Sequence, residues 1–376
     1  MSGIYIHIPF CSKRCNYCDF YLITNLKVID KFILNLKKEI SISSEFFRKD
    51  KFDTVYFGGG TPSVLSFRQF EDIINHVHKY FNIESDTEIS TEANPEDFLN
   101  KDKYFFREYE SAGINRISFG VQSFLDSELK FLTRQHTADE AEIVIKTASE
   151  YFDNINLDII YSLPSQTIND IDFSLTKAAK LGVKHISAYT LTFEEKTILN
   201  KQYLKKLVKK NPDSAEGEFY NFVSGKLISE GYGQYEVSNF AKKGYECRHN
   251  LKYWEYKNYL GFGPSAHSMY EGMRWNNYRD IVKYNSLQDK NILPVEEKYK
   301  LTDEQKRTEF LMLSLRSSGI DFNNYSALTG KDFKNEFADS LKILAENNFG
   351  YFSENKFRLN EKGYAVADEI LAKYFL

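Results

Sequence analysis

The sequence predicts an α/β protein: an incomplete barrel of six β/α units, followed by an α+β module of winged-helix type. Three observations carry this expectation. Short β-rich runs alternate with longer amphipathic ones as far as Tyr189, the signal of a parallel sheet with crossover helices. From Thr302 onward that alternation gives way to helical patterns around a hairpin. The chemically notable residues also fall at the same end of successive strands, where β/α barrels build their sites.

The strands are expected at Ile4–Ile8, Thr54–Phe57, Glu88–Thr91, Arg116–Phe119, Asn156–Ile160 and His185–Tyr189. Helical patterns fill the intervals at Ile29–Phe46, Phe67–Phe81, Asp102–Ala112, Ala138–Tyr151 and Ile168–Leu181. In the first of them Phe32, Ile33, Leu36 and Ile40 follow Asp30 at the 3–4 spacing of a buried stripe. Six units fall short of the eight of a closed barrel. Lys196–Asp213 is lysine-rich and reads as a solvated helix face or linker, with an acidic partner surface as the alternative. A Gly- and aromatic-rich stretch leads to helices near 303–316, 333–346 and 361–375 around a hairpin at Gly350–Leu359. The domains expected are 1–240, a connecting segment 241–300, and 301–376.

At 376 residues the chain can bury real cores, and its many Tyr and Phe residues mostly fill them. A formal charge of −4 and the lack of a basic recognition stripe argue against nucleic-acid binding, even for a winged-helix-like module. No run approaches the length of a membrane span, and the N-terminus lacks the basic region of a signal peptide. Three of only four cysteines are clustered, which suits a reducing cytoplasm rather than a disulfide scaffold.

Cys11, Cys15 and Cys18 in HIPFCSKRCNYCDFY have the spacing C-x3-C-x2-C. That is one thiolate short of a fully protein-ligated [4Fe–4S] cluster. The alternative is structural zinc closed by His7 or Cys247, although zinc sites usually supply a second, similarly spaced ligand pair. Gly58-Gly59-Gly60-Thr61 follows the second strand, where glycines let backbone approach a ligand; alone they signal only a tight turn. Glu92 follows the third strand and can accept hydrogen bonds from hydroxyl or ammonium groups. Asp158 lies in an apolar strand, where a carboxylate without a partner is costly. Gln122 and Arg134 stand nearby; for Arg134 a bidentate grip on a carboxylate competes with an ordinary surface ion pair. In Cys247-Arg248-His249-Asn250-Leu251-Lys252-Tyr253-Trp254, His249 is either a haem ligand flanked by stacking rings or a hydrogen-bonded structural residue. His267 is a second candidate; His7 reads as structural and Cys247 as a buried thiol.

The cysteine motif resembles that of the radical S-adenosylmethionine (SAM) enzymes, in which SAM chelates the open iron and is cleaved reductively. IYIHIPFCSKRCNYCDF, VYFGGGTPS, STEANPED, GINRISFGVQSF, LTRQHT, NLDIIYSLP and HNLKYW together resemble the oxygen-independent coproporphyrinogen III oxidase (HemN-like) superfamily over nearly the whole chain. This resemblance implies Cys11, Cys15 and Cys18 as cluster ligands, and Tyr5, Gly59, Gly60, Thr61, Glu92, Gln122, Arg134 and Asp158 around SAM. Three departures separate the chain from the decarboxylating oxidases. Phe20 stands where they have a fourth cysteine, the cluster loop begins at residue 11 without their N-terminal extension, and they lack the H-N-x-x-Y-W signature. The departures imply the haem-chaperone branch: a carrier of haem, cluster and SAM, with His249 toward haem and an acceptor protein that could be membrane-associated. The alternative is radical oxidative decarboxylation in porphyrin metabolism.

Overall fold

The computed structural model of the chain describes residues 1–99, 101 and 104–376. Six parallel strands run in sequence order: β1 (Ser2–Ile8), β2 (Lys51–Gly59), β3 (Asn82–Ala93), β4 (Arg116–Gln122), β5 (Ile155–Tyr161) and β6 (His185–Thr190). Each overlaps the strand its sequence predicts. Their apolar residues face two ways because crossover helices cover one side and the chamber lies on the other.

The helices Ile29–Ser44, Phe67–Tyr80, Phe105–Ser111, Ala138–Ala148 and Ile168–Lys180 form the outer layer. Three of them start on capping boxes, Ser66 with Gln69, Thr137 with Glu140 and Thr167 with Asp170, which satisfy the first free N–H groups reciprocally. The third helix begins at Phe105; its expected first residues, Asp102 and Lys103, lie outside the described residues.

The sheet continues beyond the six expected strands at both edges. Beside β6 lie β7 (Gly233–Gln234) and β8 (Asn239–Ala241), antiparallel. On the other side β9 (Tyr259–Phe262) pairs in parallel with β1, and β10 (His267–Tyr270), β11 (Met273–Asn277) and β12 (Val295–Lys300) follow antiparallel. The 241–300 segment therefore enlarges the sheet rather than merely connecting two modules.

Glu39 holds this extension in place. Its buried carboxylate accepts hydrogen bonds from Gly263 N–H (2.9 Å), Asn277 Nδ2 (2.5 Å) and Tyr284 Oη (2.5 Å).

The C-terminal module has its own core, built on Phe310, Leu311, Tyr325, Phe333, Leu344 and Phe357. Two of its expected helices are broken, at Phe337 and at Val366, where the backbone leaves helical geometry. Phe337 gains ring contacts with Phe333 and Phe375 by doing so. The helix Phe322–Thr329 was not expected; Asp321 caps its start and Gly330, at φ +73°, ends it. A small antiparallel sheet with the hairpin Gly350–Ser353 and Lys356–Leu359 completes the module. Among the described residues no helix is long and apolar enough to cross a membrane.

Candidate functional site

The cysteine loop leaves the C-terminal end of β1. It is closed at its base by Cys11 N–H to Ile23 O (3.1 Å) and Ile23 N–H to Pro9 O (2.7 Å). Arg14 pins its far side, donating to the carbonyls of Cys18, Phe20 and Leu22 at 3.3, 3.3 and 2.9 Å. All three thiols are free. Cys11 Sγ accepts from Thr61 Oγ1 at 3.0 Å, and Cys15 Sγ lies 3.6 Å from Arg134 Nη1. Burial pushes the Cys11 thiol up and Cys18 to about 11, so each keeps its proton until a metal displaces it.

The glycine turn packs directly on that loop. Gly60 N–H donates to Ile8 O (2.9 Å) and Thr61 N–H to Phe10 O (2.7 Å). A Cβ on Gly60 would stand 2.5 Å from Phe10 O, and Gly59 combines φ +114° with the His7 ring 2.6 Å from a Cβ. Gly59 and Gly60 are thus required by the close approach of this turn to β1 and the cysteine loop as well as by any ligand.

Inside the sheet, Tyr5, Tyr56, Glu92 and His249 form one layer. Glu92 accepts from Tyr56 Oη (3.0 Å) and Gly59 N–H (3.1 Å). Burial, then the nearby Asp158, raises its pKa to about 7. Asp158 accepts from Asn156 Nδ2 (2.7 Å) and Ser118 Oγ (3.1 Å), so the acid in the apolar strand has its partners, while burial still raises its pKa. Tyr5 Oη bonds His7 Nδ1 (3.1 Å), whose Nε2 reaches Tyr21 O (2.9 Å), which is the structural role expected of His7.

Arg134 is no surface residue. Its Nη2 donates to Asn94 Oδ1 (2.6 Å) and Gly120 O (2.8 Å) and lies 3.4 Å from Glu96, and its buried Nε has no partner among the described residues. Against the cost of burial, His136 at 2.8 Å and Arg134 hold Glu96 below the usual carboxylate range. Gln122 ends β4 at φ +71°, a strained left-handed conformation for a residue with a side chain.

His249 departs from the expectation of an open metal-ligating imidazole. It lies on the helix Arg248–Trp254 and is 1 % exposed. Nδ1 pairs with Thr54 Oγ1 (2.9 Å), Nε2 with Tyr253 Oη (2.8 Å), and the ring stacks on Tyr56 and Tyr5. Both nitrogens are taken, so ligation of haem iron through either one would require breaking the hydrogen bond that nitrogen makes. Cys247 is a buried thiol facing Glu88 Oε1 at 3.8 Å. His267 is exposed on β10.

Sequence reasoning missed Arg116, a fully buried guanidinium on β4, and Asn94, which joins Arg134 to Thr61. The argument that singled out Asp158, a charge inside an apolar strand, would have found Arg116. It also missed Glu236, a buried carboxyl raised to about 7 by burial.

These buried groups set a pH profile. Burial raises Glu39, Glu92 and Glu236 from 4.5 to about 7, so the stability their neutral forms contribute is complete below 4.5 and lost as pH rises through 7. Burial lowers His7 to about 4 and His249 to about 3 from 6.5, so their contribution is complete above 6.5 and lost as pH falls through those values. Thermal scans of the metal-free protein by circular dichroism are expected to give a Tm maximum at about pH 4.5–5, because above it the loss from three carboxyls outweighs the gain from two histidines, with lower values on both sides. A Tm that climbed steadily to pH 8 would contradict this.

The Radical SAM superfamily profile matches residues 5–178, and the HemN C-terminal domain profile matches residues 301–366. The chain superposes on coproporphyrinogen III oxidase (HemN) from Escherichia coli with a TM-score of 0.82 at 23 % identity, covering 98 % of this chain and 89 % of that one, which establishes a common fold. It is 33 % identical over 379 residues to the heme chaperone HemW of Bacillus subtilis, covering 100 % of this chain and 99 % of that protein. With HemW of Mycobacterium tuberculosis (strain H37Rv) it shares 34 % identity over 375 residues, covering 98 % of this chain and 93 % of that protein. Similarity of that length, running through the parallel sheet, its added strands and the C-terminal module alike, makes this chain a member of the HemW family within the radical SAM superfamily.

Proposed function

We propose that this protein is a haem chaperone, which binds haem and passes it to an acceptor protein while carrying a [4Fe–4S] cluster and SAM. The observation that carries the reading is the full-length similarity to proteins named as heme chaperones. Phe20 supports it: where the decarboxylating oxidases have a fourth cysteine, this chain presents a ring that is 66 % exposed.

In this reading Cys11, Cys15 and Cys18 hold the cluster. The donor set fits, with three unpaired thiols on one loop. The buried, unpartnered Arg134 Nε beside Cys15 is a donor awaiting an acceptor such as the SAM carboxylate. Tyr5, Gly59, Gly60, Thr61, Glu92, Gln122 and Asp158 complete the SAM cradle. When bound, the cluster supplies a single electron at an open iron. The protein's part is to orient: Thr61 holds Cys11, Tyr56 and Gly59 fix Glu92, and Ser118 and Asn156 fix Asp158. His249 acts as a positioning residue, tying the Arg248–Trp254 helix to β2 through Thr54.

Anaerobically reconstituted protein titrated with haem is expected to develop a saturable Soret band. The same preparation given coproporphyrinogen III and SAM is expected to form no protoporphyrinogen. Turnover would replace the chaperone reading with the oxidase one.

A further inference from the structure

The helix Ile198–Leu204 stands across a cavity from the cysteine loop, tied to it by Leu199 N–H to Asn16 O at 2.9 Å. The cavity measures about 390 Å³, within the span of small-ligand sites, and Cys15 and Cys18 form part of its wall. Four cations line it, Arg14, Lys196, Lys201 and Arg279, against one carboxylate, Asp19. Arg14 is occupied by loop carbonyls and Arg279 by Asp19. Lys196 and Lys201 are exposed and make no ion pair among the described residues.

Apolar surface lies beside these charges. Ile198 lines the cavity and is 50 % exposed, Phe20 is the bare ring of the cysteine loop, and Leu204 is exposed on the same short helix. Apolar side chains left open next to unpaired cations fit an anionic ligand with a large apolar face. Haem has that chemistry: a rigid apolar macrocycle with two carboxylates on one edge. An acidic protein would match the charge, but neither the concavity nor the bare apolar side chains.

We propose that haem is carried at the mouth of this cavity, its propionates held by Lys196 and Lys201 and its macrocycle packed on Phe20 and Ile198. The inference deepens the chaperone reading and rests on it. It places the cargo beside the cysteine loop rather than at the closed His249 helix. It also gives the lysine-rich stretch, otherwise a solvated segment, a task.

The test is an anaerobic titration of cluster-loaded protein with haem and, separately, with haem dimethyl ester, whose propionates are blocked, following the Soret band. The double variant Lys196→Glu/Lys201→Glu is expected to weaken haem binding about tenfold or more, because both charges reverse opposite the carboxylates. Both side chains are exposed and, among the described residues, unbonded, so fold and cluster should survive, as iron and sulfide content per chain will show. Wild type should bind the ester about as weakly as the double variant binds haem, and the ester should respond little to the substitution. Phe20→Ser should weaken haem and ester alike. Equal haem affinity in wild type and double variant would overturn the inference, as would tight binding of the ester or loss confined to His249→Ala. A wild type that binds no haem at all would instead remove the chaperone reading, and this inference with it.

Discussion

Alanine at any one of Cys11, Cys15 or Cys18 is expected to abolish iron–sulfur incorporation, whereas Cys247→Ala retains the full complement. The three loop thiols share one short segment whose ends are sealed by backbone hydrogen bonds, so no neighbouring donor can replace a lost one. Cys247 packs against Glu88, which pairs with Thr54, itself opposite Gly3 on β1. The loop begins beyond Ile8, five residues further along the same strand. At ~3.3 Å per residue Cys247 lies on the order of 16 Å below the loop, outside ligand range. Iron and sulfide assays of anaerobically reconstituted variants decide the matter. Loss of iron in Cys247→Ala would mean a fourth protein ligand, leaving no open iron for SAM.

Arg134→Ala is expected to be the most damaging substitution away from the cysteines. One guanidinium serves Asn94, Gly120 O and Glu96 and faces Cys15, with almost no exposure to water. Removing it leaves a buried carboxylate with only His136 and its own backbone N–H to satisfy it. Breaking a buried pair from one side typically costs about 3–5 kcal/mol. Denaturant titration should register a loss of that order, and SAM affinity, measured by equilibrium dialysis on whatever remains folded, should fall with it. Arg134→Lys keeps the charge but not the fork, so it is expected to recover part of the stability and little of the SAM affinity. Stability within about 1 kcal/mol of wild type in Arg134→Ala would show the network to be dispensable.

The six parallel strands were legible because their β-rich runs are bounded by turn residues and separated by helices with a clear apolar stripe. The site followed from them, since a residue just past a strand end can only lie on one rim. The added strands were not legible. β7 to β12 are short, drawn from a Gly- and aromatic-rich stretch without a period, and the two pairings that join them to the six strands, β8 with β6 and β9 with β1, are distant in sequence. The state of His249 was hidden for the same reason: HNLKYW reads identically whether the imidazole is open or closed, and its partner Thr54 is 195 residues away. In the C-terminal module the apolar spacing across Phe337 and Val366 continues a helical pattern that the backbone does not follow. There ring packing outweighs local propensity.

The position of β1 in the sheet has a consequence for how the protein is made. The strand that carries the cysteine loop is an interior strand, flanked by β2 on one side and on the other by β9, which begins only at Tyr259. A nascent chain that has finished all six parallel strands still has β1 as a raw edge, its outward N–H and C=O groups unpaired and open to other chains. The loop's support is therefore completed late in synthesis, when β9 docks and Glu39 closes on Gly263 and Asn277. Cluster loading on the ribosome before that point would act on an unfinished scaffold. A chain ending after β8 should aggregate and take up little iron, and supplying residues 242–376 as a separate polypeptide should rescue it only when added before the metal.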